Sequence, residues 1–132
     1  MENTNYKTIA SKIKFEGRAF INGKYVDAVD GNKFETMNPA TGEIICAVAK
    51  CNSKDVDLAV KVSKKAFDSG IWSKTTPEFR KDVLLKFAEL LRKHGIENSV
   101  LESLDTGKLI GDCINEVAND APMHFQWYGE LI

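Results

Sequence analysis

The sequence is short of the features that would name a function outright. It has no long hydrophobic run: its apolar stretches are a few residues each, as in Ile44-Ile45-Cys46-Ala47-Val48-Ala49. A membrane-spanning helix needs about 20 apolar residues, so no membrane partner is expected. No basic segment leading into an apolar stretch stands near Met1, so no secretory signal is read there. A dominant charge sign is missing too. Eighteen Lys and Arg against 19 Asp and Glu leave a net charge of -1. A nucleic-acid-binding face carries a basic patch or stripe, and none is visible, so no nucleic-acid partner is expected. There are only three cysteines, Cys46, Cys51 and Cys113, an odd number without a CxxC pair or a His-rich neighbour. That disfavours a disulfide scaffold and a zinc site, and makes the reducing cytoplasm the expected compartment. No glycine-rich phosphate loop of either common spacing is present. Gly107-Lys108 lacks both the preceding glycine and the preceding strand of a P-loop.

What is present is ordinary globular material. The 132 residues are 43% hydrophobic and 28% charged, a size and composition typical of one soluble domain with enough apolar side chain to offset chain entropy. Residues Met1 to Ile13 are polar and mixed, and fit either a short helix or an ordered arm. From Arg18 a β pattern begins. Ala19-Phe20-Ile21 and Lys24-Tyr25-Val26 flank Asn22-Gly23, the strongest short hairpin signal, because both turn residues need positive φ. Asp30-Gly31-Asn32 is a second turn, and Phe34 to Met37 a short strand. Asn38-Pro39-Ala40-Thr41-Gly42 is a third turn. Glu43 to Ala49 reads as a strand whose continuous apolar run predicts burial on both faces.

After Cys51 the period lengthens to 3.6. Ser53 is the expected N-cap, with Asp55 in the first turn, where the helix dipole favours it. Val56, Ala59, Val60, Ser63 and Phe67 form one helical face, and Gly70 ends the helix. Thr76 caps the next helix, with Pro77 at its first position. Phe79, Val83, Leu84, Phe87, Ala88, Leu90 and Leu91 give it a broad apolar face. Gly95 interrupts, and Ile96, Val100, Leu101 and Leu104 continue to Thr106-Gly107-Lys108. Leu109 to Ile132 is helical again, with Pro122 marking a kink or register change. The fold class is α+β: an antiparallel hairpin region followed by helices. Without βαβ alternation, no parallel sheet closes within the chain. The helical end at Trp127 to Ile132 carries no evident cap. The chain is therefore expected to stop inside a structure.

The residues alone carry little chemistry. Cys46 lies in an apolar strand, which raises a thiol pKa, and Cys113 lies beside Asp112. Cys51, after Lys50 and near a helix start, has the only favourable electrostatics for a nucleophile. A packing or incidental role is nonetheless the better account of all three. His94 and His124 lie on different helical segments. The acidic set Glu102, Asp105, Asp112, Glu116 and Asp120 reads mainly as a solvated face. Asp105 differs in ending a helix just before a Thr-Gly turn, where a carboxylate and backbone carbonyls can hold a cation. Trp72, Trp127 and Tyr128 are expected as core or interface aromatics.

Four stretches together resemble one family. They are Phe20-Ile21-Asn22-Gly23-Lys24-Tyr25-Val26, the turn Asn38-Pro39-Ala40-Thr41-Gly42-Glu43, the helical series Trp72, Arg80, Leu84, Ala88, Leu91, and Leu101-Glu102-Ser103-Leu104-Asp105-Thr106-Gly107-Lys108. In this order they are similar to the opening of the NAD(P)-dependent aldehyde dehydrogenases. Phe34-Glu35-Thr36, Trp72-Ser73 and Trp127-Tyr128 resemble the gamma-glutamyl-gamma-aminobutyraldehyde dehydrogenase branch. The resemblance implies part of the α/β aldehyde dehydrogenase fold. Residues 1–17 would be an N-terminal arm, and 18–132 an incomplete N-terminal part of the cofactor-binding domain. It implies an oxidoreductase that converts an aldehyde to an acid through a thiohemiacetal, hydride transfer and thioester hydrolysis, with NAD or NADP. A homo-oligomer, or self-association of the chain, is expected.

No position here matches the family's catalytic cysteine, its general-base glutamate or its dinucleotide contacts. No catalytic or cofactor-binding residue is therefore assigned, and this chain alone is expected to be inactive and to bind no cofactor tightly. The resemblance implies a structural monovalent cation at Thr36, Met37 and Asp105, and a substrate entrance near Glu116 and Asp120. Leu109 departs from the family pattern, which has proline after Gly-Lys. The other expectation is a stand-alone interaction module or vestigial fragment without enzymatic activity.

Overall fold

The computed structural model describes residues 5–132. Of the expected arm 1–17, residues 1–4 lie outside the described residues. The elements run α1 (Tyr6–Ala10), β1 (Ala19–Ile21), β2 (Lys24–Val26), β3 (Lys33–Met37), β4 (Ile44–Ala49), α2 (Ser53–Ser69), α3 (Pro77–Lys93), α4 (Gly95–Thr106), α5 (Ile110–Cys113), a π-helical segment (Ile114–Asp120) and α6 (Ala121–Glu130). The described residues form two compact units, each assembled from separated stretches of chain. The first holds residues 5–14, Asn38–Gly42 and Thr76–Ile132; the second holds Phe15–Met37 and Glu43–Thr75.

In the second unit β1 and β2 pair antiparallel, Ile21 opposite Lys24. Asn22 and Gly23 take φ of 55° and 74°, as the two-residue turn requires. Phe20 and Tyr25 meet edge to face, centroids 5.1 Å apart. β3 and β4 form a second antiparallel pair, with a bulge at Thr36/Met37. The chain before β1 approaches β4: Ala49 N–H donates to Gly17 O at 2.7 Å.

β4 is not buried on both faces as its apolar run predicts. Ile44 and Ala47 are exposed and only Ala49 is buried. A fully apolar strand needs cover on each side, and these described residues do not provide it. On the apolar face of α2, Val56, Val60 and Phe67 are exposed. The cap of α2 is Asn52, one residue before the expected Ser53, and with Asp55 it makes a capping box. Asn52 accepts from Lys54 N–H, and Asp55 accepts from Asn52 N–H. Gly70 ends α2 at φ 73°.

The first unit is helical. Thr76 accepts from Phe79 N–H and Pro77 opens α3, as the sequence predicts. α3 packs along α6 with Phe87 and Phe125 in a T-shaped contact at 4.7 Å. Gly129 brings α6 close, since a Cβ there would sit 3.3 Å from Leu84 Cβ. The buried centre includes Ala88, Val100 and Cys113. α1 lies against α4, and α4 lies against the π segment. Gly95 makes that second contact possible: its missing Cβ would lie 2.7 Å from Ala118 Cβ. The register change expected at Pro122 occurs just before it, as the π segment. Ala121 N–H reaches back to Glu116 O, five residues earlier. Proline offers no N–H to close an α turn, and a wider turn before it accommodates that loss.

Candidate functional site

The residues singled out for chemistry fall on both units. Asp105 is the second-last residue of α4, exposed at the surface. Gly107 caps α4 at φ 74°, and its missing Cβ would meet Pro39 Cγ at 2.8 Å. Two motifs far apart in sequence, the Asn-Pro turn and the Asp-Thr-Gly-Lys turn, are thus in direct contact. Thr106 Oγ1 donates to Glu102 O and accepts from Lys108 N–H, while Ser103 Oγ donates to Lys108 O at 2.7 Å. The turn is therefore tied at both ends. Leu109 takes φ −57°, a value proline would also hold, and its side chain is exposed.

Thr36 and Met37 lie at the end of β3, Thr36 half-buried and Met37 exposed, at the bulge. They belong to the second unit, and Asp105 to the first. Among the described residues no group of three or more His, Cys, Asp or Glu side chains is placed to hold a metal.

Glu116 and Asp120 both lie on the π segment and both are exposed. Glu116 is engaged by the Lys108 ammonium in a short ion pair, and this pairing raises the Lys108 pKa. Asp120 has no ion pair among the described residues. The Lys108–Glu116 pair has no signal in helical spacing, since the two lie eight residues apart across the Lys108–Ile110 turn.

The three thiols differ in burial. Cys113 is fully buried, and desolvation pushes its pKa up, away from thiolate chemistry. Cys46 is half-buried and Cys51 exposed. His94 ends α3, its Nδ1 3.6 Å from Glu97, a pair only when the ring is protonated. Trp72, Trp127 and Tyr128 are exposed rather than core side chains.

A dinucleotide does not fit what is here. Its usual cradle is a parallel strand, a glycine-rich turn and an open helix N-terminus. Among the described residues, the one direct strand-to-helix passage, β4 to α2, runs through Lys50-Cys51-Asn52 without glycine. The start of α2 is already filled by a protein carboxylate: buried Asp55 accepts from Asn52 N–H at 2.9 Å and from Val29 N–H at 2.8 Å. A pyrophosphate would meet that negative charge.

The motifs and the fold both have counterparts in known proteins. The sequence model of the aldehyde dehydrogenase family matches residues 25–132. The chain belongs to that family, as an N-terminal portion. It is 41% identical over its whole length to aminoacetaldehyde dehydrogenase of Pseudomonas aeruginosa, of which it spans 27%. Its structure is similar to gamma-glutamyl-gamma-aminobutyraldehyde dehydrogenase from Burkholderia cenocepacia, with a TM-score of 0.91 at 40% identity, covering 95% of this chain and 25% of that one. It is also similar to P. syringae indole-3-acetaldehyde dehydrogenase in complex with NAD+ and IAA, with a TM-score of 0.92 at 38% identity, covering 96% and 26%. The chain therefore spans about a quarter of the relatives it matches.

Proposed function

We propose that this chain supplies the N-terminal part of an NAD(P)-dependent enzyme that oxidises an aldehyde to a carboxylic acid. The observation that carries this is the family match over residues 25–132, joined to structural similarity at a TM-score of 0.91 or above across nearly the whole chain. In this reading the chain contributes surfaces and turns, and residues outside this sequence hold NAD or NADP. The dinucleotide supplies the hydride acceptor when bound. Residues 18–132 would belong to its cofactor-binding domain. The cytoplasm, and assembly as a homo-oligomer, are part of the same reading.

Two finer assignments belong with it. The backbone carbonyls of Thr36 and Met37, with the Asp105 carboxylate, would hold a structural monovalent cation. The bulge at Thr36/Met37 supports this, since bulged backbone departs from regular pairing. Glu116 and Asp120 would line the substrate entrance. The relatives named for aminoacetaldehyde and gamma-glutamyl-gamma-aminobutyraldehyde support an aldehyde carrying nitrogen. With Glu116 engaged by Lys108, Asp120 would be the acid that meets it.

The test is complementation. The purified 132-residue chain, given an aldehyde and NAD+ or NADP+, is expected to form no reduced cofactor. Mixed with a homologous dehydrogenase polypeptide lacking the matched segment, it should restore turnover. Reduced cofactor from the chain alone, or failure of every such mixture, would overturn the reading. The other function, a non-enzymatic interaction module, is favoured by one observation: Phe67, Ile71, Trp127 and Tyr128 are all more than 60% exposed. A cooperatively unfolding monomer that never complements a dehydrogenase would favour it.

A further inference from the structure

The Asn22-Gly23 turn does more than join two strands. We propose that Asn22 is a site of spontaneous modification in the folded chain, where its side-chain amide is lost and replaced by an acid. The backbone nitrogen of Gly23 attacks Asn22 Cγ, and a new N–Cγ bond closes a five-membered imide. The Cγ–Nδ2 bond breaks, and ammonia leaves with the proton given up by the Gly23 amide. Water then opens the imide at one carbonyl or the other, giving aspartate or isoaspartate. No oxidant or metal is needed.

The geometry favours this position over the others. Asn22 is the only asparagine followed by glycine, the least hindered nucleophile, and Asn38 is followed by proline, which has no N–H to lose. Both Asn22 and Gly23 are exposed, and space beside the Gly23 Cα is open, with nothing within 4 Å of where a Cβ would stand. The Asn22 side chain makes no hydrogen bond among the described residues. Asn22 and Lys65 line one recess of about 270 Å³.

A built-in comparison lies eight residues on. Asp30-Gly31 could form the same imide, but its carboxylate is held. It accepts from Asn32 N–H at 3.0 Å, from Asn32 Nδ2 at 2.8 Å and from Asn52 Nδ2 at 3.1 Å. Those hydrogen bonds, led by the Asn32 backbone, keep it ionised, and an ionised carboxylate is a poor electrophile.

The consequence is structural. Isoaspartate lengthens the backbone by one carbon within a two-residue turn, which breaks the pairing of Ile21 with Lys24.

The experiment is ageing of the purified chain in mildly alkaline buffer, followed by trypsin and mass spectrometry. Cleavage after Arg18 and Lys24 isolates Ala19–Lys24, in which Asn22 is the only amide side chain. This peptide should be the first to gain the mass of an acid and should split into aspartyl and isoaspartyl forms. The Asp30 peptide should show no comparable isomerisation. Asn22→Gln, which would have to close a larger ring, should abolish the conversion. Three outcomes would each overturn the proposal. Another asparagine could convert before Asn22. Asn22 could convert only when the chain is unfolded in guanidinium. The Asp30 peptide could isomerise as fast.

Discussion

Of the glycines, Gly17 has the least room. A Cβ there would stand 2.1 Å from Ala47 O and 3.3 Å from Val48 Cα, both backbone atoms that a rotamer change cannot clear. Its φ is outside the left-handed region, so glycine serves close approach rather than turn geometry. Gly17→Ala should cost about 1–3 kcal/mol, as overpacking does, read as a lower urea midpoint and faster exchange of the Ala49 amide. Leu109 is the opposite case. At φ −57°, Leu109→Pro should stabilise by about 0.4–1 kcal/mol by restricting the unfolded chain, visible as a raised Tm. Glu16 offers a titration. The Arg18 side chain, donating at 2.8 and 2.6 Å, holds its pKa down to about 2 from 4.5. The folded pKa lies below the unfolded one. The pair's stabilising effect is therefore complete above pH 4.5 and is lost as pH falls through about 2. A carboxyl NMR titration with its midpoint near 4.5 in the folded chain would refute this.

Among the elements, α2 depends most on one side chain. Asp55 is buried and takes two backbone N–H groups, from Asn52 and Val29. Asp55→Ala would strand both donors and remove half of the capping box, costing about 3 kcal/mol. Loss of α2 helicity at lower denaturant, by circular dichroism, checks it. Much of this level was legible in the residues. Asn22-Gly23 marked its hairpin, Thr76-Pro77 the start of α3, and Gly70 and Gly107 the ends of α2 and α4, because each depends on its own backbone. What escaped depended on distant groups. The exposure of β4 and of the α2 face is decided by what lies over them. Pro122 did mark the register change made by the π segment, but the close approach of Gly95 to Ala118 left no trace in helical periodicity. Of the candidate site, the signature turns could be read, but the contact of Gly107 with Pro39 and the capture of Glu116 by Lys108 could not.

For the molecule as a whole, the exposed aromatics set the expectation for solution behaviour. Phe20, Phe67, Trp127 and Tyr128 all face solvent by more than 60%, and patches of such side chains drive association. Sedimentation of the chain alone should show mass above that of a monomer, increasing with concentration and with added sulfate, which strengthens apolar burial. A monomer at all concentrations would contradict this.

The interleaving of the two units bears on synthesis. α1 comes early from the ribosome, yet its neighbours in the fold, Val100, Ser103, Leu104 and Ile110, are translated some ninety residues later. An isolated helix of five residues does not persist in water. Tyr6 to Ala10 should therefore stay open to proteases on every nascent chain arrested before α4 emerges, and become resistant only once that helix has left the exit tunnel.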